Sequence, residues 1–454
     1  MLNPLVLPEL RELLHANDTD TLSEVMAEMH PASIAEFTEG LSVEEAWRLL
    51  DHAPIERQGE VFSFYSIGKQ VEMVCGVGRE RMSKLLEVMP PDDRVDLLKQ
   101  LDPEVVESLV PLVAKAERQD IRMLLSYPEG SAGSVMTTEY ATVPSETTAE
   151  QAVAMIRQQA PSRETIYYIY VLDKGRHLIG FLSLRDLILA RSSETVSEIM
   201  QRDVVSVRVD QDREEAAQEL AQYDFLAIPV VDDQNRLVGI ITHDDVIDVM
   251  QEEATEDALL MGGVGSMEED YLEASFATVW RRRAFWLSAL FVAELFTFTA
   301  LASYEVAIQN IIALSLFVPL CISTGGNSGS QAATLITRAL ALGHVGLRDF
   351  WRILRHEIFM GLALGATLGL IAFVRAALTP SSVLGNADRW MLAVVISLSV
   401  AAICLWGTLV GSMLPLAFKR IGVDPGYASS PFVATFVDVT GIVIYFSIAS
   451  VFLL

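Results

Sequence analysis

The sequence of 454 residues has little cysteine, and its three cysteines, Cys75, Cys321 and Cys404, are far apart and form no CxxC pair. This spacing argues against a disulfide framework and against a thiolate zinc site, and it fits a reducing cytosol. The N-terminal residues Met-Leu-Asn-Pro lack a basic stretch followed by an apolar core. We therefore expect no signal peptide.

Positive charge is scarce in the first part of the chain. Residues 1–280 hold 22 Lys and Arg against 53 Asp and Glu, whereas residues 281–454 hold 11 against 7. So acidic a surface excludes nucleic acid as a partner and attracts cations. We predict a soluble acidic half joined to an apolar, slightly basic half that lies in the lipid bilayer.

Five apolar segments in the second half are long enough to span a membrane. They are 284–303, 306–324 continuing towards 343, 353–378, 390–418 and 430–454. Nine Lys and Arg residues lie on one side of these segments and two on the other. Basic residues accumulate on the cytoplasmic side, so we predict a multi-pass protein of the cell membrane with a cytoplasmic soluble half and an external C-terminus.

Asp438 lies inside the last apolar segment, with no basic residue nearby in sequence. A carboxylate at bilayer depth costs several kcal/mol unless it faces water, a partner or a cation, which indicates an ion or proton path. The alternative is a protonated Asp that is hydrogen-bonded between helices. Glu294, in the first apolar segment, either pairs across helices or lines a cavity, and the sequence leaves it unassigned.

Two polar clusters interrupt the apolar segments. In residues 323–334 we expect the glycines to let backbones approach closely and to free carbonyls that face a cavity, although tight packing without transport is an alternative. In residues 424–441 two prolines break the helix start, and Ser430, Thr435 and Asp438 can line one side. Tight packing without transport is a poorer explanation for both clusters together than for the first cluster alone.

Residues 131–252 contain an internal repeat. Ser134-Val-Met-Thr-Thr is echoed by Glu198-Ile-Met-Gln-Arg, and the stretch from Tyr170 to Asp186 is echoed by the stretch from Pro229 to Asp245. We expect Gly180 and Gly239 to mark the turn between two β-rich runs, with an acidic residue then capping a helix.

This repeat resembles a tandem pair of CBS domains, strand and helix modules whose two copies pack into one disc. Such pairs commonly bind adenine nucleotides, and Asp186 and Asp245 stand where a ribose-binding Asp is often found. The same pattern also caps a helix without any ligand, so the resemblance leaves ATP binding open.

The remaining soluble residues are predicted to be helical. Residues 1–130 show recurring Leu-x-x-Leu spacing with proline or acidic helix starts, and such units must stack, as in an α-superhelix, to bury their apolar stripes. Residues 247–275 form an acidic, largely helical connection to the first span.

The order of these parts, with Gly-Gly-Asn-Ser-Gly-Ser-Gln and Pro-Phe-Val-Ala-Thr-x-x-Asp-Val-Thr-Gly, resembles the MgtE family of magnesium channels over the full length. The resemblance implies a multi-domain homodimer with one pore, closed by the soluble parts when cytosolic Mg²⁺ is high. The implied domains are a helical superhelix at 1–130, CBS domains at 131–194 and 195–252, a connecting (plug) helix at 253–280 and five transmembrane helices at 281–454.

The resemblance also implies roles for individual residues. Pore candidates are Asp438, Asp424, Asn327, Thr435 and Ser430, of which Ser430 replaces an Asn that some relatives carry. Candidate Mg²⁺ sensor residues are Glu60, Asp92, Asp96, Asp212, Glu214, Asp224, Asp245, Asp248, Glu253, Glu256 and Asp257, with backbone carbonyls of Ser134 and Ala221. Because Mg²⁺ sheds water reluctantly, a selective site is expected to recognise the hydrated ion.

Two other functions are considered. A membrane sensor that signals through its CBS pair without conducting would use the polar membrane residues only for packing. An intramembrane enzyme is disfavoured, since the membrane half has no HExxH motif, no nucleophile and base constellation and no phosphate loop. We therefore predict that the chain is not an enzyme.

Overall fold

A computed structural model describes residues 7–265, 274–384 and 387–453. Part of the predicted connecting helix, residues 266–273, lies outside the described residues. The chain divides into two compact units, the first ending at Gln251 and the second beginning at Glu252.

The first unit begins with ten short α-helices. They are α1 Leu7–Ala16, α2 Thr19–Glu28, α3 Pro31–Thr38, α4 Val43–Leu50, α5 Ile55–Ser63, α6 Ile67–Cys75, α7 Arg79–Val88, α8 Pro91–Gln100, α9 Pro103–Leu109 and α10 Lys115–Leu124, with a 3-10 helix at Val110–Leu112. Their starts follow from sequence: Pro opens α3, α8 and α9, and Ser42 forms a capping box with Glu45.

From α3 onwards these helices stack so that a helix packs on the one two further along, as α3 does on α5 and α5 on α7. The stack buries a continuous core that includes Leu22, Leu49, Phe62 and Leu85, all with fully inaccessible side chains. Each such side chain contributes about 1.5–3 kcal/mol relative to an exposed one, and no single helix could supply this burial alone. The predicted helical N-domain is confirmed.

Two copies of a β-α-β-β unit follow. The strands are β1 Tyr140–Pro144, β2 Thr165–Leu172, β3 Leu178–Ser183, β4 Val207–Arg208, β5 Ala227–Val231 and β6 Leu237–Thr242. The helices are α11 Ala149–Gln159, α12 Leu184–Leu189, α13 Val196–Ile199, α14 Arg213–Gln222 and α15 His243–Met261, with 3-10 helices at Ala132–Ser134 and Ala160–Ser162. Each copy forms a three-stranded sheet with one parallel and one antiparallel pairing.

The repeat's glycines are not in turns, contrary to the sequence prediction. Gly180 lies within β3 opposite Val171, and Gly239 lies within β6 opposite Val230. A Cβ on Gly180 would come 2.8 Å from the carbonyl oxygen of Gln201, so glycine is needed because a neighbouring backbone approaches closely.

The second unit is helical beyond the end of α15. Its elements are α16 Phe276–Ser303, α17 Glu305–Asn310, α18 Ala313–Ala341, α19 Phe350–Ala377, α20 Ser381–Leu384, α21 Arg389–Arg420 and α22 Ser430–Phe452, with 3-10 helices at Leu347–Asp349 and Pro425–Tyr427.

Four of the described helices are long and apolar enough to cross a membrane, namely Phe276–Ser303, Leu347–Ala377, Arg389–Arg420 and Ser430–Phe452. The remaining predicted span, 306–324 continuing towards 343, corresponds to α18, which has 29 residues but contains the first polar cluster. The count of five spans therefore stays a prediction.

The polar cluster does not interrupt α18, which runs as one helix through it. Gly325 and Gly329 let α18 cross α21 at close range, since a Cβ on Gly329 would lie 2.9 Å from the carbonyl oxygen of Gly407. The expectation that these two glycines free carbonyls towards a cavity is wrong. The space beside Gly325 and Gly329 is not a cavity, because it is filled by α21 and by Val433 and Val437 of α22.

Candidate ion pathway and sensor

Asp438 lies near the middle of α22, on the side that faces α18. A Cβ built on Gly326 of α18 would lie 3.5 Å from Oδ1 of Asp438. A glycine of the polar cluster of α18 therefore lies beside this carboxylate. In the part of the chain that the structure describes, Asp438 has neither a hydrogen-bond donor nor an ion-pair partner. A half-buried carboxylate of this kind can accept bonds from bound water or from a hydrated cation.

Glu294 of α16 is an acidic residue whose charge acts on this group. Its carboxylate acts electrostatically on Asp438, and α16 packs on α22 where Ala293, Thr435 and Val439 line one groove of about 280 Å³. Glu294 directly follows Ala293 and Asp438 directly precedes Val439, so both acids adjoin residues that line this groove. Sequence reasoning left Glu294 unassigned because no spacing rule connects helices that are so far apart in the chain.

The other pore candidates make local hydrogen bonds. Thr435 Oγ1 donates to the carbonyl of Pro431 at 3.0 Å, and the carbonyl of Ser430 accepts from Ser330 Oγ of α18 at 3.2 Å. Asn327 is exposed and its Nδ2 donates to Ser323 Oγ at 3.3 Å. The structure therefore joins the two polar clusters at Ser330 and Ser430.

Asp424 lies in the connection that leads into α22, next to the end of α15. Its Oδ1 accepts from the backbone N–H of Gly426 at 2.6 Å, and Leu260 of α15 packs on Gly426. Burial, followed by the negative charges of Asp424 and Glu253, raises the pKa of Asp257 to about 6. Two predicted groups, one from the connecting helix and one from the start of the last span, are thus neighbours.

Two predicted sensor acids of the helical N-domain already have cationic partners. Glu60 forms an ion pair with Arg57 at 2.8 Å, and Asp96 forms one with Lys99 at 2.8 Å. Lys99 also donates to the carbonyl oxygen of Ser134 at 3.2 Å. Asp96 and the Ser134 carbonyl, both sensor candidates, therefore meet at one ammonium group.

A second group of acids joins the start of α8 to the start of α15. Burial, followed by the charge of Asp245, raises the pKa of Asp92 well above its ordinary value. Burial also raises the pKa values of Asp93 and Asp245 to about 6, with Asp244 adding to both shifts. Closely spaced acids disfavour ionisation of one another unless a cation is present. The sequence prediction missed Asp93, although it adjoins Asp92.

The remaining sensor candidates are dispersed. Asp212 caps α14 by accepting from the N–H of Glu214 at 2.8 Å, and the carbonyl of Ala221 accepts from the N–H of Asp224, which has φ +53°. Asp248 is an exposed residue of α15. Glu253 and Glu256 lie further along the same helix. Within the described ranges, no three His, Cys, Asp or Glu side chains converge as a metal site.

Asp186 is the third residue of α12, not its cap. Its Oδ2 accepts from Ser183 Oγ at 2.6 Å and from the Ser183 N–H at 3.2 Å, which completes a capping box. Ser183 pairs in register with Tyr168, whose ring lies 6.1 Å from that of Phe225 in the second repeat. An acid and an aromatic cluster thus share one end of the first repeat's sheet, which is compatible with a nucleotide base and ribose.

Comparison with known proteins assigns the whole chain. Residues 318–448 match the MgtE family, described as divalent cation transporters, residues 29–130 match the MgtE intracellular N domain, and residues 132–193 and 196–252 match CBS domains. The magnesium transporter MgtE of Thermus thermophilus is 40% identical over 447 residues, which cover 98% of each chain. The chain belongs to the MgtE family. This confirms the resemblance and the prediction of a non-enzyme.

Other MgtE proteins and structures agree with this assignment. The magnesium transporter MgtE of Bacillus subtilis is 30% identical over 429 residues, 94% of this chain and 93% of that one. The crystal structure of the soluble part of a magnesium transporter covers 55% of this chain and 98% of its own, with a TM-score of 0.52 and 32% identity. The cytosolic domain of the Mg²⁺ channel MgtE in complex with ATP covers 54% and 99%, with a TM-score of 0.51 and 40% identity.

Proposed function

We propose that this MgtE protein conducts hydrated Mg²⁺ into the cytoplasm along a path that passes Asp438. The observation that carries the proposal is the Asp438 carboxylate, which lies against Gly326 and has no protein partner among the described residues. Mg²⁺ keeps its water shell at about 2.1 Å from the metal, so a carboxylate with room beside it suits outer-shell recognition. The identity of its MgtE relatives as magnesium transporters supports Mg²⁺ as the ion.

We infer that the working form is a homodimer with its C-terminus outside. None of the residues of α16 is buried within the protomer, and its large apolar side chains Phe285 and Phe298 are each 75% exposed. Lipid or a second copy covers such a face in a membrane. Two-fold symmetry would place a pair of Asp438 carboxylates around one path, which strengthens the preference for a divalent ion.

The acidic groups of the soluble half are proposed to close the path when Mg²⁺ binds. Mutual repulsion at Asp92 and Asp245, and at Asp257 and Asp424, favours separation of these groups without a cation. Bound Mg²⁺ removes the repulsion. A shift from 99:1 open to 1:99 requires the ions together to prefer the closed state by about 5.5 kcal/mol, which several weak sites can supply.

ATP is a second candidate ligand, proposed for the CBS pair. The ATP complex of the related cytosolic domain supports it, as does the position of Asp186 near Tyr168 and Phe225. Because Asp186 also completes the capping box with Ser183, its loss would weaken the fold as well, and binding must be measured directly.

Mg²⁺ uptake into proteoliposomes tests the central proposal. We expect uptake by the wild-type protein, none by Asp438→Ala or Asp438→Asn, and normal uptake by Glu305→Gln, which removes an exposed acid from the same unit. Equal flux through wild type and both Asp438 variants would place the path elsewhere. Absence of flux through the wild-type protein, with Mg²⁺ still bound by the soluble half, would favour the non-conducting sensor.

A further inference from the structure

Lys99 of α8 joins two oxygen atoms that belong to the Mg²⁺ sensor candidates implied by the family resemblance. Its Nζ lies 2.8 Å from Oδ1 of Asp96 and 3.2 Å from the carbonyl oxygen of Ser134. Asp96 belongs to the helical N-domain, whereas Ser134 ends the 3-10 helix before β1. The ammonium group therefore bridges the helical N-domain and the first CBS repeat within the first unit.

This contact differs from an ordinary ion pair on a helix surface. The Lys99 side chain is only 18% exposed, against 56% for Asp96, and Ser134 is 6% exposed. An exposed pair three residues apart on one helix has a small effect because water competes for both groups. Here the cation is largely covered and a second, long-range acceptor fixes its position.

We propose that Lys99 is a built-in cation that takes the place of a divalent ion between Asp96 and the Ser134 carbonyl, and so sets how the junction responds to Mg²⁺. This inference rests on the proposed sensor. A lysine ammonium offers a single charge and three donors to oxygen acceptors, so it can occupy an oxygen-lined position that Mg²⁺ would otherwise use. Being covalently attached, it holds the two oxygens at any Mg²⁺ concentration.

Two consequences follow for a variant that lacks the charge. Lys99→Met keeps the unbranched stem but frees both oxygens, so one additional Mg²⁺ is expected to bind per chain. Without Mg²⁺ the junction loses its internal cation, and the ratio of closed to open junction is expected to fall about 2- to 5-fold. Lys99→Arg keeps the charge and is expected to retain the wild-type ion count.

The experiment uses the full-length protein in detergent. Bound Mg²⁺ per chain is counted by equilibrium dialysis, and the junction is followed by cleavage with a Glu-specific protease, whose sites the Lys substitutions leave unchanged. Lys84→Met is the matched control, because Lys84 is an exposed lysine of the preceding helix α7. We expect Lys99→Met to bind one more ion than wild type and to be cleaved faster in EDTA, with Lys84→Met unchanged.

The outcomes separate this inference from the proposal on which it rests. If wild type and Lys99→Met bind the same number of ions and are cleaved at the same rate at every Mg²⁺ concentration, Lys99 is only an ion-pair partner and the inference is overturned. If neither protein binds Mg²⁺ or changes its cleavage rate with it, the sensor itself is overturned. One additional ion in the variant, with protection of both proteins at high Mg²⁺, supports both.

Discussion

The backbone of Gly411 on α21 lies directly against the carbonyl oxygen of Gly329 on α18, so that no side-chain carbon fits between them. The same helices meet one turn earlier at Gly407 and Gly325. Because both neighbours are backbone atoms, they cannot give way as a flexible side chain would. The crossing therefore fixes how the polar cluster of α18 is held beside α22.

We expect Gly411→Ala to disrupt this crossing. Overpacking typically costs about 1–3 kcal/mol, and a clash with backbone belongs at or above the upper end. Gly326→Ala is the matched control on α18, since its Cβ would make ordinary contacts of 3.4 and 3.5 Å with Ala434 and Asp438. The thermal unfolding temperature in detergent provides the measurement. A Gly411→Ala protein as stable as Gly326→Ala would contradict the close contact between Gly411 and Gly329.

Glu294 is expected to strengthen cation binding at Asp438. Removing its charge by Glu294→Gln weakens the attraction for a divalent ion, which we expect to raise the Mg²⁺ concentration at half-maximal uptake roughly 10-fold, equivalent to about 1.4 kcal/mol. Initial uptake rates over a range of external Mg²⁺ provide the measurement.

Inhibition by hexaamminecobalt(III) offers an independent check on Glu294. Coulomb attraction scales with ionic charge, so loss of one carboxylate should weaken inhibition by this trivalent ion more than it weakens Mg²⁺ binding. Glu294→Asp, which keeps the charge, should stay near wild type. Unchanged half-maximal concentrations in Glu294→Gln would mean that the residue only supports packing.

The soluble architecture was predictable because its signals are local. Leu-x-x-Leu spacing, prolines at helix starts and a repeated stretch of β-rich sequence each determine an element within about 15 residues. Four of the apolar helices were predictable from apolar length for the same reason. Gly180 was misplaced because sequence shows that a glycine is present but not whether a turn or a neighbouring backbone requires it.

The candidate sites were predictable only in part. The acid at position 438 stands out since it lies in an apolar segment, whereas Glu294 near Asp438, and Lys99 beside Ser134, depend on contacts between distant parts of the chain. A lysine three residues after an aspartate has the pattern of a common surface pair. Only the fold shows that its second partner belongs to another domain.

Asp93 should make the stability of the soluble half depend on pH. Folding raises its pKa from about 4 to about 6, mainly by burial, so the folded state binds a proton more tightly than the unfolded state. Its contribution is therefore favourable below about pH 4 and is lost as pH rises through 6. Asp93→Asn removes this loss. We expect its free energy of unfolding to exceed that of wild type by about 1–2 kcal/mol at pH 7.5 without Mg²⁺.

The difference between Asp93→Asn and wild type should be clearly smaller at pH 4.5 and should vanish below about pH 4. Chemical unfolding followed at both pH values in EDTA gives the two free energies of unfolding. Asp102→Asn, at an exposed acid of the same domain, is the control and should show no such pH-dependent gain. A gain of equal size at both pH values would indicate that the effect of the substitution is unrelated to ionisation.

The proximity of Asp257 and Asp424 predicts how the end of α15 affects conduction. Repulsion by Asp424 helps to raise the pKa of Asp257 to about 6, so at neutral pH two negative charges oppose each other. Asp257→Asn removes one charge together with one proposed Mg²⁺ ligand. We expect the variant to conduct less than wild type without cytosolic Mg²⁺, since repulsion no longer favours the open state, and to respond less to added Mg²⁺.

Flux through oriented proteoliposomes, with Mg²⁺ varied on the cytoplasmic side, measures both effects of Asp257→Asn. Asp203→Asn, at an exposed acid of the second CBS repeat, is expected to keep the wild-type response. The charge argument also predicts that Asp424→Asn lowers Mg²⁺-free flux, because the repulsion between the two carboxylates is mutual. An increase of Mg²⁺-free flux in either variant would show that these acids stabilise the closed state without an ion, which is opposite to the proposed gating.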